Sequence, residues 1–207
     1  MAIIVSPFDY KGKLVYFIYK AFAYVILFVS RAKLKIEGRE NIDKNERYLF
    51  VSNHQSYLDI PVLMVAVPNN MRFVYKRSLS WVPFWGWSMY LNRFIPVNRE
   101  NPLSAIKSLK QAARILKNKF SINIFPEGTR SIDGNVSEFK RGFFLIASES
   151  GKKVVPVSIK GTRNILAKKS YNISGGVVNI KFSNPVDFDS KDKLFAQKIR
   201  EIISSNL

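Results

Sequence analysis

No cysteine occurs among the 207 residues, which excludes disulfide scaffolds, thiol nucleophiles and cysteine-based metal sites. Histidine occurs once, at position 54, so a site that needs several imidazoles is excluded too. Acidic side chains are scarce: 15 Asp and Glu stand against 33 Lys and Arg, for a formal net charge of +18. That imbalance says nothing about fold. It does point to anionic partners, whether nucleic acid, a membrane surface or phosphorylated substrates. No repeat, linker or low-complexity stretch divides the chain, whose length suits one domain with a proper core. A disordered tail is excluded as well, because 47% of the residues are apolar and 14% aromatic.

One apolar run stands out. Residues 14–29 are broken only by Lys20, with Lys11 and Lys13 before them and Arg31, Lys33 and Lys35 behind. As a helix this run extends about 24 Å at about 1.5 Å per residue, short of a hydrocarbon core of roughly 30 Å. A secretory signal would have an uncharged apolar core and no basic cluster after it. A buried core helix is the plain alternative. A helix lying in the membrane interface, with Lys20 snorkelling, fits better. Tyr10, Tyr16, Phe17, Tyr19, Phe22 and Tyr24 add rings of the kind found at headgroup depth. The expectation is a membrane-anchoring segment over residues 1–35 and a second unit over 36–207.

Beyond it, β-like and helical patterns alternate. Residues 33–36, 48–51, 72–75, 122–125, 154–159 and 177–182 read as strands. Residues 95–97 read as another, with Pro96 suited to an edge or a bulge. Residues 102–119 repeat Leu103, Ile106, Leu109, Ala113 and Leu116 at helical spacing behind an Asn101-Pro102 start. Residues 139–150 read as a helix that stops at Gly151, and 194–203 as a closing helix. This alternation predicts a single α/β domain with a mixed, largely parallel sheet flanked by helices.

Within Asn53-His54-Gln55-Ser56-Tyr57-Leu58-Asp59 the sole histidine stands five residues before an aspartate. On one regular helix the two would not share a face. They meet if His54 sits in a loop and Asp59 in the first turn of the helix that follows. A carboxylate on one ring nitrogen sets the tautomer and leaves the other nitrogen as a general base. The alternative is a helix cap followed by a first-turn acid. A serine-nucleophile elbow is missing, since Gly86-Trp87-Ser88-Met89-Tyr90 fails at its last position. A phosphate loop is missing too, since Gly151-Lys152 is followed by Lys153. A base without a protein nucleophile suggests that a substrate hydroxyl or water attacks.

Phe125-Pro126-Glu127-Gly128-Thr129-Arg130-Ser131 follows a strand, where α/β proteins place ligand loops. Gly128 lets backbone approach a ligand, Thr129 offers a hydroxyl, and Arg130 can take phosphate oxygens bidentately. Glu127 would orient Arg130 or hold the loop. An ordinary turn with a surface ion pair is the alternative. Lys76 and Arg99 are further candidates at strand ends. Trp81, Trp85 and Trp87, with Phe84 and Tyr90, form a core cluster, an interfacial belt or the wall of an acyl groove; the groove is the preferred reading.

The His54-x4-Asp59 and Phe125–Ser131 segments together resemble the glycerolipid acyltransferases, in particular the 1-acylglycerol-3-phosphate acyltransferases. Lys76-Arg77-Ser78-Leu79, Pro83-Phe84-Trp85-Gly86 and Ile95-Pro96-Val97-Asn98-Arg99 resemble that family's second block. Val154-Val155-Pro156-Val157-Ser158-Ile159 resembles its fourth. Two positions depart: Arg93 stands where the family usually has glycine, and Asn98 where it usually has aspartate. The resemblance implies transfer of a fatty acyl group from a thioester, acyl-CoA or acyl carrier protein, to the sn-2 hydroxyl of lysophosphatidate. His54 and Asp59 are then catalytic, and Lys76, Arg99, Glu127, Gly128, Thr129 and Arg130 serve the acceptor's phosphate. Arg93 would add bulk near that headgroup. Backbone amides near Gly128 or Val155 are candidate oxyanion donors. No cofactor or metal is implied. The expected setting is an anionic membrane surface on the cytoplasmic side, and nucleic acid drops out because the basic residues are scattered along the chain without a recognition element.

Overall fold

The computed structural model describes all residues except 1, 6–8, 10, 169, 171, 190 and 193, so Tyr10 lies outside the described residues. In chain order the elements are α1 (Ala2–Val5), α2 (Lys13–Val29), β1 (Ala32–Glu37), β2 (Leu49–Ser52), α3 (Asp59–Ala66), β3 (Met71–Lys76), α4 (Trp85–Leu91), β4 (Ile95–Val97), α5 (Pro102–Asn118), β5 (Ser121–Ile124), α6 (Gly142–Ser150), β6 (Val154–Lys160), α7 (Thr162–Ile165), β7 (Gly176–Phe182) and α8 (Phe195–Ser204). The strands form one seven-stranded sheet in the order β1-β7-β6-β2-β5-β3-β4. Strands β6, β2, β5, β3 and β4 run parallel, and β7 opposes β6 with β1 parallel to β7. The mixed, largely parallel α/β sheet is therefore present. Pro96 sits on β4 at the edge, where a missing amide costs no ladder bond.

Alternation along each strand sends side chains to two cores. Phe50, Phe73, Val155 and Val157 pack with α2 and α3 on one face. Leu49, Val51, Ile122 and Ile124 pack with α5, α6 and α8 on the other. Asn101 caps α5 by accepting the Ser104 amide at 2.9 Å. Helix α6 starts at Gly142 rather than 139, because the Lys140 amide is taken by the Pro126 carbonyl at 2.9 Å.

Helix α2 departs from the anchor expectation on one side. Val15, Tyr19, Ala23 and Leu27 recur every fourth residue and are buried in the core shared with α3. The expected division at residue 35 falls inside β1, so this helix belongs to the same packed unit. Its outer side stays apolar and uncovered, with Phe17 at 67% and Phe28 at 85% exposure. Among the described residues no helix is long and apolar enough to cross a membrane.

The start of α2 is tied to the sheet by Arg72, the largest wholly buried side chain. Its guanidinium donates to the Asn92 carbonyl at 2.6 Å, to Asn70 at 2.7 Å and to the Gly12 carbonyl at 3.5 Å. It also lies 4.0 Å from the centroid of the Phe120 ring. Burial lowers its pKa to about 10, so it remains charged at neutral pH.

Candidate active site

The parallel strands decide where the polar residues gather. His54 follows β2, Lys76 ends β3, Arg99 follows β4 and Arg130 follows β5, which puts all four at the carboxyl edge of the sheet. They share a cavity of about 550 Å³. Its other walls are apolar: Tyr19, Phe22 and Ile26 from α2, Ile60 and Met64 from α3, Trp85 and Met89 from α4. Only Trp85 of the tryptophans lines it. Trp81, Phe84, Trp87 and Tyr90 are exposed outside it, so the aromatic cluster is divided between groove wall and surface. That division also sets aside the core-cluster alternative.

His54 leaves β2 in a loop, and Asp59 opens α3. The imidazole Nδ1 meets Asp59 Oδ2 at 2.7 Å. Asp59 is wholly buried, and the same oxygen accepts the amides of Gln55 at 2.7 Å and Ser56 at 2.9 Å. A carboxylate so fully engaged is held in one orientation. The His54 ring lies on Phe125, with centroids 3.9 Å apart and planes 16° from parallel. With Nδ1 taken, Nε2 is the nitrogen left to the cavity that His54 lines.

Glu127 had two candidate tasks, and its contacts match the second. Its Oε1 accepts the His54 amide at 2.8 Å and Oε2 accepts the Ser137 amide at 3.0 Å. It holds the loop, and among the described residues it makes no ion pair with Arg130. Burial raises its pKa, against these amide donors and the nearby His54, which lower it. Gly128 takes φ +75°, and a Cβ there would come within 3.1 Å of the Lys140 side chain. The positive φ favours glycine, whereas the flexible end of Lys140 could give way. The Gly128 carbonyl accepts from Arg99 Nη1.

Arg130 stacks its guanidinium 3.5 Å from the centroid of the Tyr57 ring. The side chain lines the cavity, and its Nη1 is buried without a hydrogen-bond partner. Thr129 lines the same cavity and accepts from Lys168 at 3.4 Å. Lys168 also donates to the Arg130 carbonyl at 2.6 Å. Thus His54, Asp59, Lys76, Arg99, Glu127, Gly128, Thr129 and Arg130 do come together, with Asp59 and Glu127 behind the cavity surface rather than on it. The two residues suggested for the oxyanion, Gly128 and Val155, do not themselves supply a free amide to the cavity. The Gly128 amide already donates to the Phe125 carbonyl, and Val155 is wholly buried in β6 away from the cavity.

Sequence reasoning missed Tyr57, Ser131, Thr162 and Lys168. Tyr57 stood within the histidine motif, and Thr162 directly after the Gly161 that ends β6, which were the available signals. Arg93, expected to add bulk beside the candidate phosphate residues, does not line the cavity they share. It has φ +62° just after α4, a backbone conformation that favours glycine.

A sequence profile of the family described as Acyltransferase matches residues 33–160. A chloroplastic 1-acyl-sn-glycerol-3-phosphate acyltransferase of Arabidopsis thaliana is 34% identical over 198 residues, covering 95% of this chain and 55% of that protein. A 1-acyl-sn-glycerol-3-phosphate acyltransferase of Saccharomyces cerevisiae is 32% identical over 189 residues, covering 88% of this chain and 62% of that protein. The chain thus spans little more than half the length of these relatives. The crystal structure of the 1-acyl-sn-glycerophosphate acyltransferase PlsC from Thermotoga maritima superposes with a TM-score of 0.82 at 32% identity, covering 94% of this chain and 79% of that one. With the sheet order, the edge that carries His54 and the profile match in agreement, this chain belongs to the acyltransferase family that includes the 1-acyl-sn-glycerol-3-phosphate acyltransferases.

Proposed function

We propose that this chain transfers a fatty acyl group from a thioester donor to the sn-2 hydroxyl of 1-acylglycerol 3-phosphate, forming phosphatidic acid. The observation that carries the reading is the His54–Asp59 pair at 2.7 Å, set in a cavity with an apolar wall and three cationic side chains. The relatives named for this activity support it.

In this mechanism His54 Nε2 takes the proton of the acceptor hydroxyl as its oxygen attacks the thioester carbonyl. Asp59 holds the ring and offsets the positive charge that forms on it. The tetrahedral intermediate collapses with loss of the thiolate, which receives the proton from His54. A new ester bond replaces the C–S bond, and His54 returns to its neutral state. Lys76, Arg99 and Arg130 take the acceptor's phosphate, and Glu127, Gly128 and Thr129 give their loop its shape. The apolar wall takes acyl chain, at about 0.8 kcal/mol per buried methylene. The donor is acyl-CoA or an acylated carrier protein, both anionic partners for a chain of charge +18.

The protein's place in this reading is the membrane interface, on the cytoplasmic side. The uncovered apolar side of α2 and the exposed Trp81, Phe84, Trp87 and Tyr90 support an embedded face, with the diffuse basic field drawing anionic lipid. Acyl transfer is tested on the purified chain in detergent, with lysophosphatidate, other lysophospholipids and glycerol 3-phosphate each offered with both donor types. Lysophosphatidate should be the preferred acceptor. His54→Ala should lose on the order of a hundredfold or more in rate while its unfolding curve stays in place. A folded His54→Ala protein of full activity would sink the mechanism, and preference for another acceptor would replace the substrate.

A further inference from the structure

Asp59 divides its two oxygens between tasks. Oδ2 carries the imidazole and two amides, whereas Oδ1 accepts the hydroxyl of Thr162 at 2.6 Å, from 103 residues further along the chain. Both side chains are wholly buried. This contact is prepared by the backbone around it. The Asn53 side chain donates to the Ile159 carbonyl and accepts its amide, both at 2.8 Å, fixing β6 against the start of the histidine loop. Gly161 then turns the chain at φ +101°, with the Val177 carbonyl so close that a Cβ would fall 2.3 Å from it. Thr162 is the next residue. At the far end of α7, the Leu166 carbonyl accepts the Ser56 hydroxyl at 2.6 Å, and Leu166 lines the cavity. The loop carrying His54 and the segment 159–166 are thus joined at three levels.

We propose that Thr162 is a positioning residue for the catalytic pair. Its hydroxyl stops the Asp59 carboxylate from rotating, which keeps Oδ2 on the His54 Nδ1 and leaves Nε2 to the cavity. Without that donor, Oδ1 would be a buried anionic oxygen with no partner, and the carboxylate would turn to share its remaining donors between both oxygens. The inference rests on His54 acting as the base. Thr162 touches neither substrate nor the reacting atoms, so its removal should be felt in the chemical step rather than in binding.

The sole histidine makes the test direct, because one imidazole N–H proton resonance reports the pair. The full chain in detergent micelles is compared with Thr162→Val, which keeps the shape, and Thr162→Ser, which keeps the hydroxyl. Thr162→Val should lower kcat on the order of tenfold, as loss of an outer partner does at other sites. Both KM values should hold, and the His54 Nδ1–H resonance should move. Thr162→Ser should restore kcat and the resonance together. Should the valine variant unfold, Thr162→Ala gives the same two readings without a branched methyl. Unchanged kcat and resonance in a folded variant overturn the proposal, as does a serine variant that fails to rescue. If the unaltered chain transfers no acyl group, the proposed function falls, while the resonance still reads the hold of Thr162 on the pair.

Discussion

Glu127 accepts the backbone amide of His54 at 2.8 Å, so the loop that bears Arg130 also fixes the loop that bears His54. The His54 carbonyl in turn accepts the Ser131 amide at 2.7 Å. The two loops are therefore tied together by both bonds, and displacement of either moves the other. Glu127→Ala leaves the part-buried His54 amide and the amide of exposed Ser137 without their acceptor, which costs less than the ~1–3 kcal/mol of a fully buried group. The expected outcome is a lower midpoint in denaturant together with a fall in kcat. A variant as stable and active as the parent would show that the loop stands without this carboxylate.

Arg130 lines the cavity, keeps one buried donor without a partner and is braced by Tyr57. Arg130→Ala should raise the acceptor KM at least tenfold, the equivalent of about 1.5–3 kcal/mol for a bond to a charged group. The donor KM should change little. Arg130→Lys should recover part of the loss, because an ammonium neither forks onto phosphate nor stacks on the ring in the same way. Steady-state kinetics with each substrate varied in turn decides it; an unchanged acceptor KM rejects the role.

The outer side of α2 is the proposed membrane contact. Phe17 and Phe28 lie on it outside the cavity, and burying each in lipid contributes about 1.5–3 kcal/mol. The double variant Phe17→Ser, Phe28→Ser should therefore lose vesicle binding in flotation, with acyl transfer in detergent retained. High salt should release the parent only in part. Full release by salt alone would assign the contact to charge.

Arg93 occupies the left-handed position that ends α4. Its amide reaches the Tyr90 carbonyl at 3.1 Å, and the Phe94 amide reaches that of Met89 at 3.0 Å. This is the paired-bond helix ending in which glycine is favoured. Arg93→Gly should raise stability by about 0.5–1 kcal/mol, measured by denaturant unfolding, without changing the kinetics. A destabilised variant would mean that the arginine side chain contributes more than its backbone strain costs.

Asp133 gives the loop after Arg130 a pH dependence. The Asn135 amide, the Asn135 side chain and the Ser131 hydroxyl hold its carboxyl down at about 2, against an ordinary value of 3.8. A depressed carboxyl supports the fold fully above its ordinary value and loses that support as pH falls through its native one. Between pH 3.8 and about 2 the parent should lose stability more steeply than Asp133→Asn. Parallel acid-unfolding curves would refute the assignment.

What the sequence determined by itself was local in origin. Strands at 154–160 and 176–182 follow from β-branched runs, and α5 from an apolar period behind Asn101-Pro102, since neighbouring side chains alone set those patterns. The approach of His54 to Asp59 was readable because only a loop and a helix start separate them. Helices α4 and α7, of seven and four residues, were too short for a period to mark them. The reversed direction of β7, the burial of Arg72 and the loop-holding role of Glu127 depended on partners far away in the chain. Helix α2 is the clearest division. An apolar run has the same composition whether protein or lipid covers it, because the hydrophobic effect has no direction. Only the tertiary structure decided that Val15, Tyr19, Ala23 and Leu27 pack inward while Phe17 and Phe28 stay uncovered. In the same way, chemistry at position 54 was legible from residue types, whereas the proposed hold on its orientation comes from a threonine 103 residues beyond Asp59 that only the assembled sheet brings to it.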